Sequence, residues 1–236
     1  MNEGQISFAP FSVDNNVFAL PAEHRAEARI SLRNELGLPQ DSLIVVFASK
    51  LIPQKRASDL IEAFSRICWR MPAAYLVIVG SGGEEARLKI QASGVGESRV
   101  HFRGFRNQRE LPRIFAASDA FVLPSDNEAW GLVVNEAMAS GLPVIVSDDV
   151  GAAPDLVANT GAGMVYPCGD IRALAECLAA ILGNEELRAQ MAVRASEVIR
   201  SWDVEFTADA IVAAAHQVAG SSGRGRATAR RHRGSA

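Results

Sequence analysis

Six short apolar runs separated by helical patterns restrict what this chain can fold into. The runs are residues 43–49, 75–79, 100–102, 120–123, 144–146 and 164–165. Between and after them lie segments of helical period. Residues 57–70 place Leu60, Ile61, Phe64 and Ile67 on one face, residues 84–93 carry Leu88 and Ile90, and residues 110–117 and 171–182 repeat the pattern. Strands that are apolar on both faces and alternate with helices of about 10 to 14 residues predict an α/β fold, a parallel sheet covered by helices on both sides. Ligands of such sheets bind beyond the carboxyl ends of the strands. The chemically suggestive residues of this chain fall there.

Glu128 and Glu136 are eight residues apart in Ser125-Asp126-Asn127-Glu128-Ala129-Trp130-Gly131-Leu132-Val133-Val134-Asn135-Glu136. Pro124 ends the preceding strand, Gly131 opens a helix, and Gly141-Leu142-Pro143 closes it. Glu128 is then a loop residue and Glu136 lies in the second helical turn. Helical side chains lean toward their N-terminus, so Glu136 can reach the space above the helix start. The N–H groups of Gly131, Leu132 and Val133 are directed into the same space, a ready anion site. A carboxylate beside such a site suits a ribose diol, and a second carboxylate in the loop could hold the hydroxyls of what the phosphate carries. The bland alternative is a solvated loop glutamate and a surface helix glutamate. The apolar run Ala137-Met138-Ala139 argues against plain solvent around Glu136.

Lys50 follows the first strand and Lys55 opens the next helix, two cations five residues apart that could contact a pyrophosphate or simply be solvated. Val79-Gly80-Ser81-Gly82-Gly83-Glu84 is a glycine-rich strand-to-helix turn that does not meet the G-x-G-x-x-G spacing. His101 reads as a strand residue, and no Asp/His cluster marks a metal site.

These segments resemble, in order and spacing, the donor-binding half of the retaining glycosyltransferases with two Rossmann domains (the GT-B type), group 1 or family 4. The matching text is Glu128-x7-Glu136 with Ala-Met-Ala-Ser-Gly-Leu-Pro-Val-Ile, preceded by Lys50 to Lys55, Val79-Gly80-Ser81-Gly82 and Val100-His101-Phe102-Arg103-Gly104-Phe105. The resemblance implies a Rossmann-like domain over residues 21–184, a crossover remnant over 1–20 and closing helices over 185–219. It implies a nucleotide-diphosphate sugar as substrate, with no metal or other cofactor. Lys50 and Lys55 would act on the donor phosphates, Glu128 on the transferred sugar and Glu136 on the ribose. Gly80 and the main chain around Phe105 would lie against the sugar ring and base. An arginine is commoner at the position of Lys50, and a glycine usually stands where this chain has Arg56. An acceptor domain of about 150 to 200 residues is expected upstream or on a partner chain. The acceptor would be a glycan, a lipid-linked glycan or a small metabolite. The competing readings are a nucleotide-sugar-binding module without turnover, and an epimerase or phosphorylase on the same fold.

The net charge of −3 gives no general attraction to nucleic acid. Cys68, Cys168 and Cys177 lack pairing or metal-like spacing, which points to a reducing compartment. No run reaches the ~20 apolar residues of a membrane span, and the start has no signal-peptide pattern, so a cytoplasmic location is expected. Residues 220–236 are low in complexity, with Arg224, Arg226, Arg230, Arg231 and Arg233 and no acidic residue. They are expected to be disordered. Docking of this tail on anionic lipid, at the inner membrane face, is the alternative.

Overall fold

The computed structural model describes residues 7–96 and 98–229, with side chains up to Ala219. Six parallel strands form one sheet in the order β3-β2-β1-β4-β5-β6. They are β1 (Leu43–Ala48), β2 (Ala74–Val79), β3 (Val100–Phe102), β4 (Ala120–Leu123), β5 (Val144–Ser147) and β6 (Gly163–Tyr166). The pleat sends alternate residues to opposite faces, and both faces are apolar. Ile44, Val46, Ala48, Phe121, Leu123, Val144 and Val146 pack on one side. Val45, Phe47, Leu76, Ile78, Val122 and Ile145 pack on the other. A sheet buried on both faces is what the parallel arrangement requires.

The first face is covered by α1 (Asn15–Phe18), α2 (Ala22–Leu36), α5 (Leu111–Ala117), α6 (Leu132–Ala139) and α8 (Glu185–Ile199). The second is covered by α3 (Ala57–Ile67), α4 (Glu85–Ser93) and α7 (Ile171–Gly183). Local chemistry sets several helix ends. Asp170 accepts from the N–H of Ala173 at the start of α7, and Asn184 does the same for Leu187 at the start of α8. α6 ends where Gly141 turns to φ +75° and Leu142 N–H reaches back to the Ala137 carbonyl at 3.0 Å.

α9 (Val204–Ala229) leaves the sheet, and its start is stitched to the N-terminal segment. Thr207 Oγ1 donates to the Pro10 carbonyl at 2.9 Å, Asn15 Nδ2 to the Ile199 carbonyl at 2.9 Å, and Val13 bridges to Asp203. The α9 backbone continues to Ala229, ten residues past the point where the composition of the chain ends the helical part. Gly220, Ser221, Ser222, Gly223 and Gly225 are poor helix formers, so this extension rests on the helix already nucleated before them and not on the propensity of its own residues. The side chains of Arg224 and Arg226, and all of Arg230, Arg231 and Arg233, lie outside what is described.

α2 carries a buried arginine. Arg33 is 0% exposed and donates to the Ala117 carbonyl at 2.9 Å and the Ser42 carbonyl at 2.6 Å. It also pairs with Asp119 at 3.1 Å. Asp119 in turn accepts from Ile44 N–H at 2.8 Å and from Arg29 at 2.9 Å, so this network ties α2 to the entrances of β1 and β4. Removing one partner of a buried pair typically costs about 3 to 5 kcal/mol. Arg33→Met is expected near the low end, about 3 kcal/mol in urea unfolding, because Asp119 keeps two other donors. Arg33→Lys should recover little, since a point charge cannot replace the fork. A loss below 1 kcal/mol for Arg33→Met would show the network to be dispensable.

Candidate functional site

The strand order reverses between β1 and β4, so the loops beyond their carboxyl ends diverge and leave a crevice. A cavity of about 420 Å³ opens there. Of the residues singled out in the sequence, Lys50, Gly80, Phe105, Val133 and Glu136 line it together. Ser81, inside the glycine-rich turn, lines it as well, as do Ser49, Arg106 and Leu111, which the sequence does not single out, although Arg106 directly follows the Phe105 motif. Lys55, Glu128 and Gly131, in the adjoining loops, and Leu132, the first residue of α6, are outside this lining.

Backbone makes the cavity floor. Gly80 has φ +135°, and a Cβ there would sit 1.8 Å from the Ser49 carbonyl oxygen. A Cβ on Gly82 would sit 2.2 Å from the Leu51 carbonyl oxygen. The two glycines let the turns after β1 and β2 touch main chain to main chain. Ser49 N–H donates to Val79 O at 3.1 Å, Leu51 N–H to Ser81 O at 2.9 Å, Glu84 N–H to Leu51 O at 3.0 Å and Gly80 N–H to Gly104 O at 2.8 Å.

Glu136 is 8% exposed. Burial pushes its carboxyl up to about 7, so near neutrality it is poised between its two forms. Its helix opens at Gly131, φ +93°, and no side chain caps the N-terminus. A Cβ on Gly131 would lie 3.0 Å from Leu123 Cδ2 and 3.3 Å from Val150 Cγ1, so the left-handed turn is also sterically reserved. Leu132 is 43% exposed, and Val133 reaches the cavity wall.

Glu128 forms an ion pair with Lys55 Nζ. Its loop is pinned on both sides. Asp126 N–H donates to Gln54 O at 2.7 Å, Glu128 N–H to Asp149 O at 3.0 Å, and Gly151 N–H to Glu128 O at 2.8 Å. Arg56, found where a glycine usually stands, adopts φ +48° and ψ +33°, a conformation that glycine takes without strain. Its guanidinium pairs with Asp59 at 2.6 Å and approaches Asp126 at 3.8 Å, and it is not among the residues lining the cavity. Asp126, Asp149 and Cys168 bring potential ligand atoms within 4.8 Å of one another, a grouping that their spacing in the chain does not announce.

Asn135 and Trp130 extend the site toward the N-terminal segment. Trp130 Nε1 donates to Asn135 Oδ1 at 2.9 Å, and Asn135 Nδ2 donates to the Phe11 carbonyl at 3.1 Å. Trp130 also meets the rings of Phe11 and Trp202, with centroids 5.3 and 5.4 Å away. His101 bonds the Ser98 carbonyl at 2.9 Å and takes no part in the cavity. Among the described residues no helix is long and apolar enough to cross a membrane.

The model of the family described as glycosyl transferases group 1 matches residues 28–198. A D-inositol 3-phosphate glycosyltransferase of Corynebacterium glutamicum is 34% identical over 196 residues, covering 80% of this chain and 46% of that protein. The chain thus spans about half the length of the curated relatives it matches. The structure of Anabaena HepE in complex with UDP-glucose superposes with a TM-score of 0.74 at 26% identity, over 89% of this chain and 56% of that one. The C-terminal domain of the group 1 protein LpcC from Francisella tularensis superposes with a TM-score of 0.72 at 23% identity, over 81% of this chain and 99% of that domain. The parallel sheet, the crevice and the matched family together place the fold as the C-terminal half of a GT-B protein, and the chain belongs to the group 1 glycosyltransferases.

Proposed function

We propose that this chain is the donor-binding half of a glycosyltransferase that passes a sugar from a nucleotide diphosphate to an acceptor hydroxyl with retention. The observation that carries the reading is the buried Glu136 facing the same cavity as Lys50, beside the uncapped start of α6. A ribose diol on Glu136 places the diphosphate within reach of Lys50 and the N–H groups of α6. Negative charge builds on the departing β-phosphate in the transition state, and preorganised donors of this kind are worth about 3 to 4 kcal/mol each. The diphosphate also attracts Lys55. That releases Glu128 to hold the hydroxyls of the transferred sugar. The base lies over the Gly80 turn against Phe105. Phosphate charge is met by lysines and a helix start, with no metal and no further cofactor. The acceptor, a glycan or lipid-linked glycan, is held by a domain outside this chain, so the chain alone binds donor and transfers poorly. The family relatives support the class of reaction, and HepE supports a UDP-sugar as the first donor to try.

Thermal unfolding against UDP-, GDP- and ADP-sugars tests the reading. A ligand at 100 times its dissociation constant adds about 2.7 kcal/mol of stability. One nucleotide class is expected to do so with the wild type and to fail with Glu136→Ala. A shift that survives Glu136→Ala places the donor elsewhere.

A further inference from the structure

A second cavity, of about 250 Å³, lies between α2 and the segment that runs from β3 into α5. Arg103, Arg106, Arg109 and Arg113 line it, and among the described residues of its wall Glu35 and Glu110 are the acidic ones. Four arginines less two glutamates leave a local charge of +2, in a chain whose net charge is −3. Arg103 pairs with Glu35, and Arg106 Nη1 pairs with Glu110 at 3.0 Å. Arg109 and Arg113 are exposed and, among the described residues, form no ion pair. The Nε of Arg103 is buried and has no hydrogen-bond partner among the described residues. Leu32 and Ile114 form an apolar floor beneath the guanidinium groups.

Arg109 and Arg113 add like charge to a hollow whose two carboxylates are already paired with Arg103 and Arg106, and folding gains nothing from that excess. An anion removes that cost. The guanidinium fork matches the oxygens of a phosphate in bidentate fashion, and a phosphate dianion balances the +2 excess. We infer that this pocket is a second anion site, which takes a phosphate group separate from the diphosphate of the donor. The two cavities share one side chain, Arg106, so the second site adjoins the end of the cleft marked by Phe105. The phosphate is carried either by a soluble phosphorylated compound or by the headgroup of an anionic lipid.

Two measurements on the full chain, thermal unfolding with inorganic phosphate and pyrophosphate and co-sedimentation with phosphatidylglycerol vesicles, distinguish these sources. Four proteins are compared: wild type, Lys50→Ala/Lys55→Ala, Arg109→Ser/Arg113→Ser and Arg109→Lys/Arg113→Lys. Binding is expected to persist in the Lys50/Lys55 variant, to weaken at least about tenfold in the serine variant, and to be intermediate in the lysine variant, which keeps charge and loses the fork. Arginine-dependent binding of free phosphate assigns a soluble ligand. Arginine-dependent binding of vesicles alone assigns a lipid headgroup. Equal binding by wild type and the serine variant in both measurements overturns the site, as does a phosphate response lost only in the Lys50/Lys55 variant. All substituted positions in the arginine variants are exposed, so their circular dichroism should match wild type.

Discussion

Replacing Glu136 by glutamine is expected to make the chain more stable at pH 8 while removing its response to nucleotide sugars. The carboxyl titrates near 7 in the folded protein against 4.5 as its ordinary value, because burial disfavours the charged form. A folded-state value above the unfolded one means that the native state holds the proton more tightly. The associated stability is complete below about 4.5 and is lost as pH rises through about 7. A difference of this size corresponds to about 3 kcal/mol, an upper figure for what the ionised Glu136 costs the protein at pH 8. Glutamine keeps the shape and has no charge to desolvate, so its stability should stay flat where the wild type declines. Urea unfolding of both proteins at pH 5 and pH 8 measures this. Equal stabilities at pH 8 would mean that the carboxylate is better solvated than its position indicates. The same substitution removes the negative acceptor for a ribose diol, so the ~2.7 kcal/mol of ligand stabilisation should disappear. A residue that weakens the fold when ionised and is needed for binding is the pattern expected of a functional site.

Gly80→Ala is expected to be severely damaging where the turns after β1 and β2 meet. The new methyl would sit 1.8 Å from the Ser49 carbonyl oxygen, at φ +135°, and backbone cannot move aside as a flexible side chain can. The strands β1 and β2 would have to part where Ser49 N–H meets Val79 O at 3.1 Å. A loss above about 4 kcal/mol follows, a large share of the 5 to 15 kcal/mol that holds a domain together. Gly83→Ala, three residues along, is the internal control. Nothing lies within 4 Å of the position a Cβ would take there, and a change within about 0.5 kcal/mol is expected. Similar urea midpoints for the two variants would show that the β1 and β2 turns are not locked together.

The strands were legible because each is apolar on both faces, a pattern that only a covered parallel sheet explains. The amphipathic helices α3 and α7 were legible for the matching reason, each burying one stripe. α2 makes no such pattern, since it buries Ala28, Leu32 and Arg33. Two small or aliphatic residues and a charge make no recognisable stripe, and a buried arginine is visible only once Asp119 has been brought to it. Among the site residues, Lys50, Gly80 and Glu136 line the crevice, and for Lys50 and Gly80 the strand that ends just before each marks that place in the sequence. The pairing of Lys55 with Glu128 joins residues 73 apart in the chain, and no local spacing encodes it. The close approach at Gly82 and the Trp130–Asn135–Phe11 chain depend likewise on which loops the fold lays side by side.

The main-chain bonds that clamp the turns beyond β1 and β2 have a thermodynamic consequence for recognition. A mobile loop that folds around its ligand loses conformational entropy at the moment of binding, and affinity falls by that amount. Here the amides of Ser49, Leu51, Gly80 and Glu84 are already bonded across the turns. The ordering cost is met when the domain folds, and the cleft presents its floor to a ligand without further loss of freedom. Those four amides should therefore exchange with solvent deuterium on the slow timescale of the sheet itself.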